Sequence, residues 1–64
     1  METREYIRRA FLAGYHAVKY GEIKTELTTQ EIDAKYPQYM TEPFTQGMID
    51  GLHNDITRYD KMMK

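Results

Sequence analysis

The stretch Phe11-Leu12-Ala13-Gly14-Tyr15 has a counterpart 33 residues later, Phe44-Thr45-Gln46-Gly47-Met48, in which glycine again stands three residues after phenylalanine. A glycine inside a helix costs about 1 kcal/mol relative to alanine, so some interaction must offset it. Close packing of two helix backbones would do so, and the pattern therefore predicts a helix crossing at Gly14 and Gly47, with Gly51 on the same edge. A ligand that approaches the bare backbone is the alternative explanation.

The first stretch lies in a segment with helical periodicity, because its apolar and small residues recur at intervals of three and four. These residues are Ile7, Ala10, Phe11, Gly14, Ala17 and Val18. Thr3 can cap the start of such a helix, and Gly21 stands where a left-handed residue would end it. The sequence therefore predicts a helix from Arg4 to Tyr20.

A short helix is predicted in the middle of the chain. Thr28-Thr29-Gln30-Glu31 matches a capping box, in which the side chains of Thr28 and Glu31 each bond the other residue's backbone N–H. Pro37 disfavours the helical conformation of the residue before it. The helix should therefore run from Thr29 to Lys35. Residues 22–27 fit a loop, a helical turn or a strand equally well, and we predict an irregular segment.

The second stretch predicts one long helix from Thr41, as N-cap, to about Met62. Pro43 falls in the first turn, where a missing N–H costs nothing. The large apolar residues share one arc of the helix: Phe44, Met48, Leu52, Ile56, Tyr59 and Met63. Asp55 lies in the same arc. Because an unpaired buried carboxylate is costly, it should lie at the rim of the arc and pair with Arg58 or with a base of the first helix, or else contact a partner protein or a second copy.

Together these segments predict an all-α fold in a single domain, residues 1–64. Its two long helices would form an antiparallel hairpin, with the short helix packed across the connection. Leu, Ile, Val and Phe number only 11 of the 64 residues, which indicates a small core. Domains of this size often need a metal, a disulfide or a partner subunit.

Composition excludes several classes of protein. There is no cysteine, which rules out disulfide scaffolds and cysteine zinc sites. No apolar run is long enough for a membrane span and no signal peptide is recognisable, so we expect no membrane association and a cytoplasmic location. A net charge of -1 argues against a dedicated nucleic-acid binder.

The residues also argue against enzymatic activity. The chain contains neither serine nor cysteine, the two commonest nucleophiles, and no glycine-rich phosphate loop. His16 and His53 fall on the polar faces of their predicted helices. No second histidine lies near His53 and Asp55 to complete a metal site. The sequence therefore predicts a non-enzymatic protein with no cofactor and no metal, which acts by binding another protein or itself.

Two candidate binding surfaces follow from the helical wheels. Leu12 stands among the basic residues of the first helix, beside Arg8 and His16, where it is either an ordinary exposed leucine or the apolar anchor of a binding face. The first helix is too slim to cover the whole apolar arc of the last one. Some of Ile49, Ile56 and Met63 should thus remain exposed and form a contiguous patch that a two-fold homodimer would bury.

Charge is unevenly distributed along the chain. In the predicted hairpin, acidic residues gather at one pole, among them Asp33 and Glu42. The opposite pole is basic and consists of Arg4, Arg8, Arg9, Arg58, Lys61 and Lys64. Two further roles therefore remain open: a nucleic-acid-associated module that uses the basic pole, and a structural subunit of a larger particle.

The stretches at residues 11–15 and 44–52, together with the small size and the lack of Cys and Trp, resemble small accessory proteins of tailed phages. The resemblance covers about 14 residues and assigns no role to any of them. It implies a stand-alone protein that binds a host or viral protein, such as an inhibitor or modulator of a host enzyme or defence system in the host cytoplasm.

Overall fold

The computed structural model describes residues 3–63, the last of them by its backbone alone. Helices contain 70% of this part of the chain, and it has no strand. The all-helical class is therefore confirmed, as is the irregular segment over residues 22–27. There are four helices: α1 (Thr3–Lys19), α2 (Thr29–Lys35), α3 (Thr41–Leu52) and α4 (Thr57–Met63).

Helix α1 ends in a Schellman motif, which satisfies backbone carbonyls that a helix end leaves without partners. Gly21 adopts a φ of 84°, the left-handed conformation that glycine accepts without a steric cost. The N–H of Glu22 donates to the carbonyl of Ala17 at 2.8 Å, and the N–H of Gly21 donates to that of Val18 at 3.1 Å. Gly21 thus terminates the helix as predicted.

Helix α2 begins with the predicted capping box, and both of its bonds are present. The Glu31 N–H donates to the Thr28 hydroxyl oxygen at 3.2 Å, and the Thr28 N–H donates to the Glu31 carboxylate at 3.0 Å. The bond from the Thr28 backbone is the main reason that the pKa of Glu31 lies below its usual value. The start of α2 is therefore tied to the ionised state of one carboxylate.

Helix α3 begins differently from the prediction. Met40, and not Thr41, is the N-cap residue, and it makes no side-chain capping bond. The Thr41 hydroxyl instead donates to the carboxylate of Asp33 in α2. Thr41 therefore connects the two helices, because its side chain bonds across to α2 and not to its own helix.

The prediction of one long last helix is wrong, because the chain turns between α3 and α4. Asn54 adopts a φ of 56°, a left-handed conformation that asparagine tolerates better than most residues. The Asp55 N–H donates to the Asp50 carbonyl at 2.9 Å, which completes a second Schellman motif. The Asp55 carboxylate then accepts from the Thr57 N–H at 3.1 Å and starts α4.

The predicted antiparallel hairpin is also wrong, because α1 and α3 run in the same direction where they meet. Ile7, near the start of α1, lines one cleft with Met40 and Pro43 at the start of α3. At the other end, the Lys19 ammonium donates to the side-chain oxygen of Asn54. The segment between α1 and α3, which includes α2, carries the chain back to its starting end and makes this parallel arrangement possible.

The crossing of α1 and α3 is a reciprocal contact between the two Phe-x-x-Gly stretches. A Cβ atom on Gly14 would lie under 3.0 Å from the carbonyl oxygen of Phe44, and one on Gly47 would lie as close to that of Phe11. On Gly51 a Cβ atom would lie 3.0 Å from the Cβ of Val18. The three glycines predicted at a helix crossing thus lie at the α1–α3 contact.

The core surrounds this crossing and is small. Phe11, Phe44, Met48 and Ile32 are the largest side chains that are fully buried. Ile32 brings α2 into the core, and the backbone N–H of Leu27 points at the sulfur of Met48 at 3.3 Å. The segment that returns the chain is therefore held by the same residues that pack α1 on α3.

We expect Gly47→Ala to lower the free energy of unfolding by about 2–3 kcal/mol, because the added Cβ would overlap backbone that cannot rotate away. Better helix propensity works in the opposite direction but is worth only about 1 kcal/mol. Chemical denaturation followed by circular dichroism measures the change. Gly21→Ala is the control: its Cβ would meet nothing within 4 Å, and it should lose only the about 1 kcal/mol of a left-handed alanine. A more stable Gly47→Ala protein would contradict the close crossing.

Acid should weaken the fold through Glu31 and Asp55, because hydrogen bonds from backbone N–H groups, of Thr28 and Thr57 respectively, hold both carboxyl pKa values below their usual range. The stabilisation is complete above the unfolded pKa values and is lost as the pH falls through the folded ones. The double variant Glu31→Gln, Asp55→Asn keeps the acceptor oxygens but does not titrate at these positions. Between about pH 5 and 3 it should therefore lose less unfolding free energy than the wild-type protein does. Denaturation curves measured at a series of pH values test this, and an equal loss of unfolding free energy in acid for the variant and the wild type would contradict it.

Candidate functional site

The outer side of α1 and the segment 36–40 enclose a long groove, which we call the aromatic groove. It consists of two adjoining cavities of about 520 Å³ and 390 Å³, which share Ala13, His16, Gln38 and Tyr39. The first cavity is completed by Tyr6, Arg9, Leu12 and Met40. The second is completed by Ala17, Tyr20, Glu22 and Tyr36.

The groove follows from the periodicity of α1. Its residues Tyr6, Arg9, Ala13, His16 and Tyr20 recur every three or four positions, so they form one stripe along the helix. Gly14 lies on a different side of the helix, against α3. Since the crossing occupies that side, α3 does not cover the stripe.

Two tyrosines form the opposite wall and are held by the core. The ring centroids of Tyr36 and Tyr39 lie 4.6 Å and 5.9 Å from that of Phe44. Pro37 stands between them, and both side chains are half-buried. The wall is therefore fixed by packing and does not depend on a bound partner.

The groove has an acidic and a basic end. The Tyr36 hydroxyl donates to the Glu22 carboxylate at 3.4 Å. Burial, and then the negative charge of Glu22, raise the pKa of Tyr36, so this hydroxyl remains a donor at neutral pH. Arg9 lines the other cavity and supplies the positive end. A bound segment would therefore meet opposite charges at the two ends.

His16 lies in the groove and also under α4. Its Nε2 atom is 3.0 Å from the Tyr59 hydroxyl oxygen, and its ring centroid is 5.6 Å from that of Tyr20. The prediction that His16 occupies a solvated polar face is wrong, because α4 folds back over this part of α1. His53, by contrast, is exposed.

Helix α4 is docked by a tyrosine pair that the sequence did not indicate. The Tyr59 ring stacks on Tyr15 with centroids 4.4 Å apart, and Tyr15 is buried. Burial is the main cause of a raised Tyr15 pKa, with smaller contributions from the carboxylates of Asp60, Asp50 and Asp55. The repeated tyrosines in the sequence could have suggested stacking, but the pairing requires the turn between α3 and α4.

The structure divides the predicted binding residues. Leu12 and His16 are half-buried and line the aromatic groove together, whereas Arg8 is exposed on α1 outside it. Ile49 packs against the core, and Ile56 remains 54% exposed. The side chain of Met63 lies outside the described part of the molecule. The exposure of Ile56 agrees with the prediction that some of these residues stay exposed. The single helix on which the patch was predicted is interrupted by the turn after α3.

The predicted separation of charge into two poles is not found either. Glu42 lines one cleft of about 390 Å³ together with Ile7 and Arg58, so a residue of the predicted acidic pole lies at the basic end. Parallel packing of α1 and α3 places their N-terminal ends together, which mixes the charges. Arg4, Arg9 and Lys61 are exposed, and Lys64 lies outside the described residues.

The buried carboxylate is Asp50, and not Asp55, which is exposed. Asp50 Oδ2 lies 3.6 Å from Arg58 Nε, and the same guanidinium donates to the side-chain oxygen of Gln46. Arg58 is the base predicted for Asp55. Its charge also helps to lower the pKa of the exposed Asp55 carboxyl, after the hydrogen bonds from Thr57, but the ion pair that it forms is with Asp50, which was not predicted.

The described residues contain no cluster of three His, Asp or Glu side chains suited to a metal ion. None of the described helices combines the length and the hydropathy that a membrane span requires. The chain matches no protein-family model, no curated protein and no solved structure.

We expect Tyr59→Ala to lower the free energy of unfolding by about 2 kcal/mol, because it removes a half-buried ring that stacks on Tyr15. Tyr59→Phe keeps the ring and removes only the bond to His16, so it should cost about 1 kcal/mol or less. Urea denaturation of both variants measures the difference. Equal effects of the two substitutions would show that the ring contributes nothing and would contradict the docking of α4.

Proposed function

We propose that this protein acts by binding another protein through the aromatic groove. The observation that supports it is the composition of the groove, in which Tyr6, Tyr20 and Met40 are 43%, 79% and 43% exposed. Tyrosine, methionine and arginine are the residues enriched in the buried centres of protein interfaces. Arg9, in the same groove, adds the third type.

The groove is also prepared for binding before a partner arrives. One wall is a helix held by the glycine crossing, and the other is held by the packing of Tyr36 and Tyr39 against Phe44. Binding to such a surface orders few groups, so more of the contact energy appears as affinity. A loop of the same composition would lose this advantage.

The resemblance to accessory proteins of tailed phages supports a more specific form of this proposal. The partner is then a host enzyme or a host defence protein in the cytoplasm, and the small protein inhibits or modulates it by occupying one of its surfaces. Binding alone is sufficient for inhibition, so this form of the proposal requires no catalytic group.

Tyr6→Ala and Tyr20→Ala should each weaken partner binding by about 30-fold, since truncating an interface hot spot costs about 2 kcal/mol or more. The partner is first identified by affinity purification of the tagged protein from its native cell, and binding is then measured with purified components by calorimetry. Both tyrosines are exposed, so neither substitution should disturb the fold.

Ile56→Glu is the matched control, because Ile56 is 54% exposed and does not line the groove. It should bind the partner as the wild type does. If Ile56→Glu loses binding and the two tyrosine variants retain it, the interface lies elsewhere. If the purified ligand is a nucleic acid with a steep salt dependence, the proposal of a protein partner is wrong.

A further inference from the structure

Two side chains of α4, Tyr59 and Arg58, make specific polar and aromatic contacts with the rest of the molecule, and the half-buried Met62 lines a cleft with Ile7 and Phe11. The Tyr59 ring stacks 4.4 Å from Tyr15 and its hydroxyl bonds His16, while Arg58 reaches Asp50 and Gln46. Removal of α4 would affect the groups that contact these two side chains. Tyr15 would gain exposure, and the carboxylate of Asp50, itself nine-tenths buried, would lose the cation with which it pairs among the described residues. We call the surface that receives Tyr59 and Arg58 the α4 site. When α4 is absent, binding of another helix that carries the same tyrosine and arginine would be favourable there.

The segment that turns α4 back is short and depends on one unusual residue. Between α3 and α4 lie only residues 53–56, and Asn54 is the single non-glycine residue with a positive φ among residues 3–63. Right-handed helical geometry is the lower-energy conformation for asparagine. If Asn54 adopts the right-handed helical conformation, the backbone can continue from α3 into α4 as one helix.

The sequence on both sides of this turn is compatible with one continuous helix. Phe44, Met48, Leu52, Ile56 and Tyr59 follow at intervals of four, four, four and three, which is the spacing of a single helix face. Neither proline nor glycine occurs between Leu52 and Met63. In the turned form Ile56 is 54% exposed, so this part of the face has no cover within the molecule.

From these features we infer that a second copy of this chain binds by exchange of α4. Asn54 becomes helical, α3 and α4 join into one helix, and α4 of each copy occupies the site on α1 and α3 of the other. Tyr59 then stacks on the partner copy's Tyr15, and Arg58 pairs with the partner copy's Asp50. Each interaction lost by opening is regained between copies, so the exchange leaves only the hinge and the entropy of association to decide the equilibrium.

The conformation of residue 54 provides the test. Asn54→Ala and Asn54→Gly both remove the bond from Lys19 to the Asn54 side chain, so a comparison of these two variants isolates the hinge. Asn54→Ala disfavours the left-handed conformation and favours the helix, whereas Asn54→Gly does the opposite. Since a dimer contains two hinges, its dissociation constant should be at least about 100-fold lower for Asn54→Ala than for Asn54→Gly. Sedimentation equilibrium over a range of concentrations measures both constants, and His53→Ala, at an exposed neighbouring position, should leave the wild-type constant unchanged.

Cross-linking distinguishes exchange from any other dimer. The chain has no cysteine, so one can be placed on α1 (Lys19→Cys) in one set of molecules and on α4 (Asp60→Cys) in another. In a mixed dimer of the Asn54→Ala background, a bis-maleimide reagent should join the two kinds of chain. The doubly substituted chain of the Asn54→Gly background should be joined only within itself.

Two results would overturn the inference. One is an Asn54→Ala protein that remains monomeric at about 1 mM, or that dimerises without a cross-link between α1 and α4 of different chains. The other applies if Asn54→Ala fails to fold. Chains with asparagine at position 54 that carry either Lys19→Cys or Asp60→Cys are then mixed and refolded at high concentration, and they should give the same inter-chain product. Its absence in these refolded chains also overturns the exchange.

Discussion

Direct backbone contact between α1 and α3 is the constraint on which the rest of the molecule depends. At Gly14 and Gly47 the position of a side chain is occupied by a carbonyl oxygen of the facing helix. A glycine Cα–H directed at a carbonyl is the geometry of a weak hydrogen bond, which recurs at helix–helix interfaces. Phe11 and Phe44, each three residues before a glycine of the crossing, are the two largest fully buried side chains.

The parallel direction of the two helices determines what else the chain must do. It has to return from the end of α1 to the start of α3, and the segment that does so is fixed by Gly21, by the capping box of α2 and by the burial of Ile32. The same segment forms a wall of the aromatic groove. In a chain of 64 residues, the groups that stabilise the fold and the groups that present a surface are therefore partly the same.

Helix α4 is attached in a different way from the other three. Its attachment includes one aromatic stack and one ion pair, and the ion pair joins a half-exposed arginine to a buried aspartate. Such a pair adds little net stability, but removing the arginine leaves an uncompensated buried charge. The arrangement selects α4 as the helix for this position, whether it comes from the same chain or from a second copy.

The sequence by itself determined the features that depend on neighbouring residues. The glycines of the crossing, the capping box at Thr28, the end of α1 at Gly21 and the bounds of α2 all follow from spacing and local chemistry. A helical wheel describes a residue's angle around its own axis, and it contains no information about the direction of the helix packed against it. Only the tertiary structure therefore decided the parallel crossing and the burial of Asp50, because both result from contacts between residues that are distant in sequence. It also decided the turn at Asn54, where the local sequence is compatible with both a turn and a continued helix.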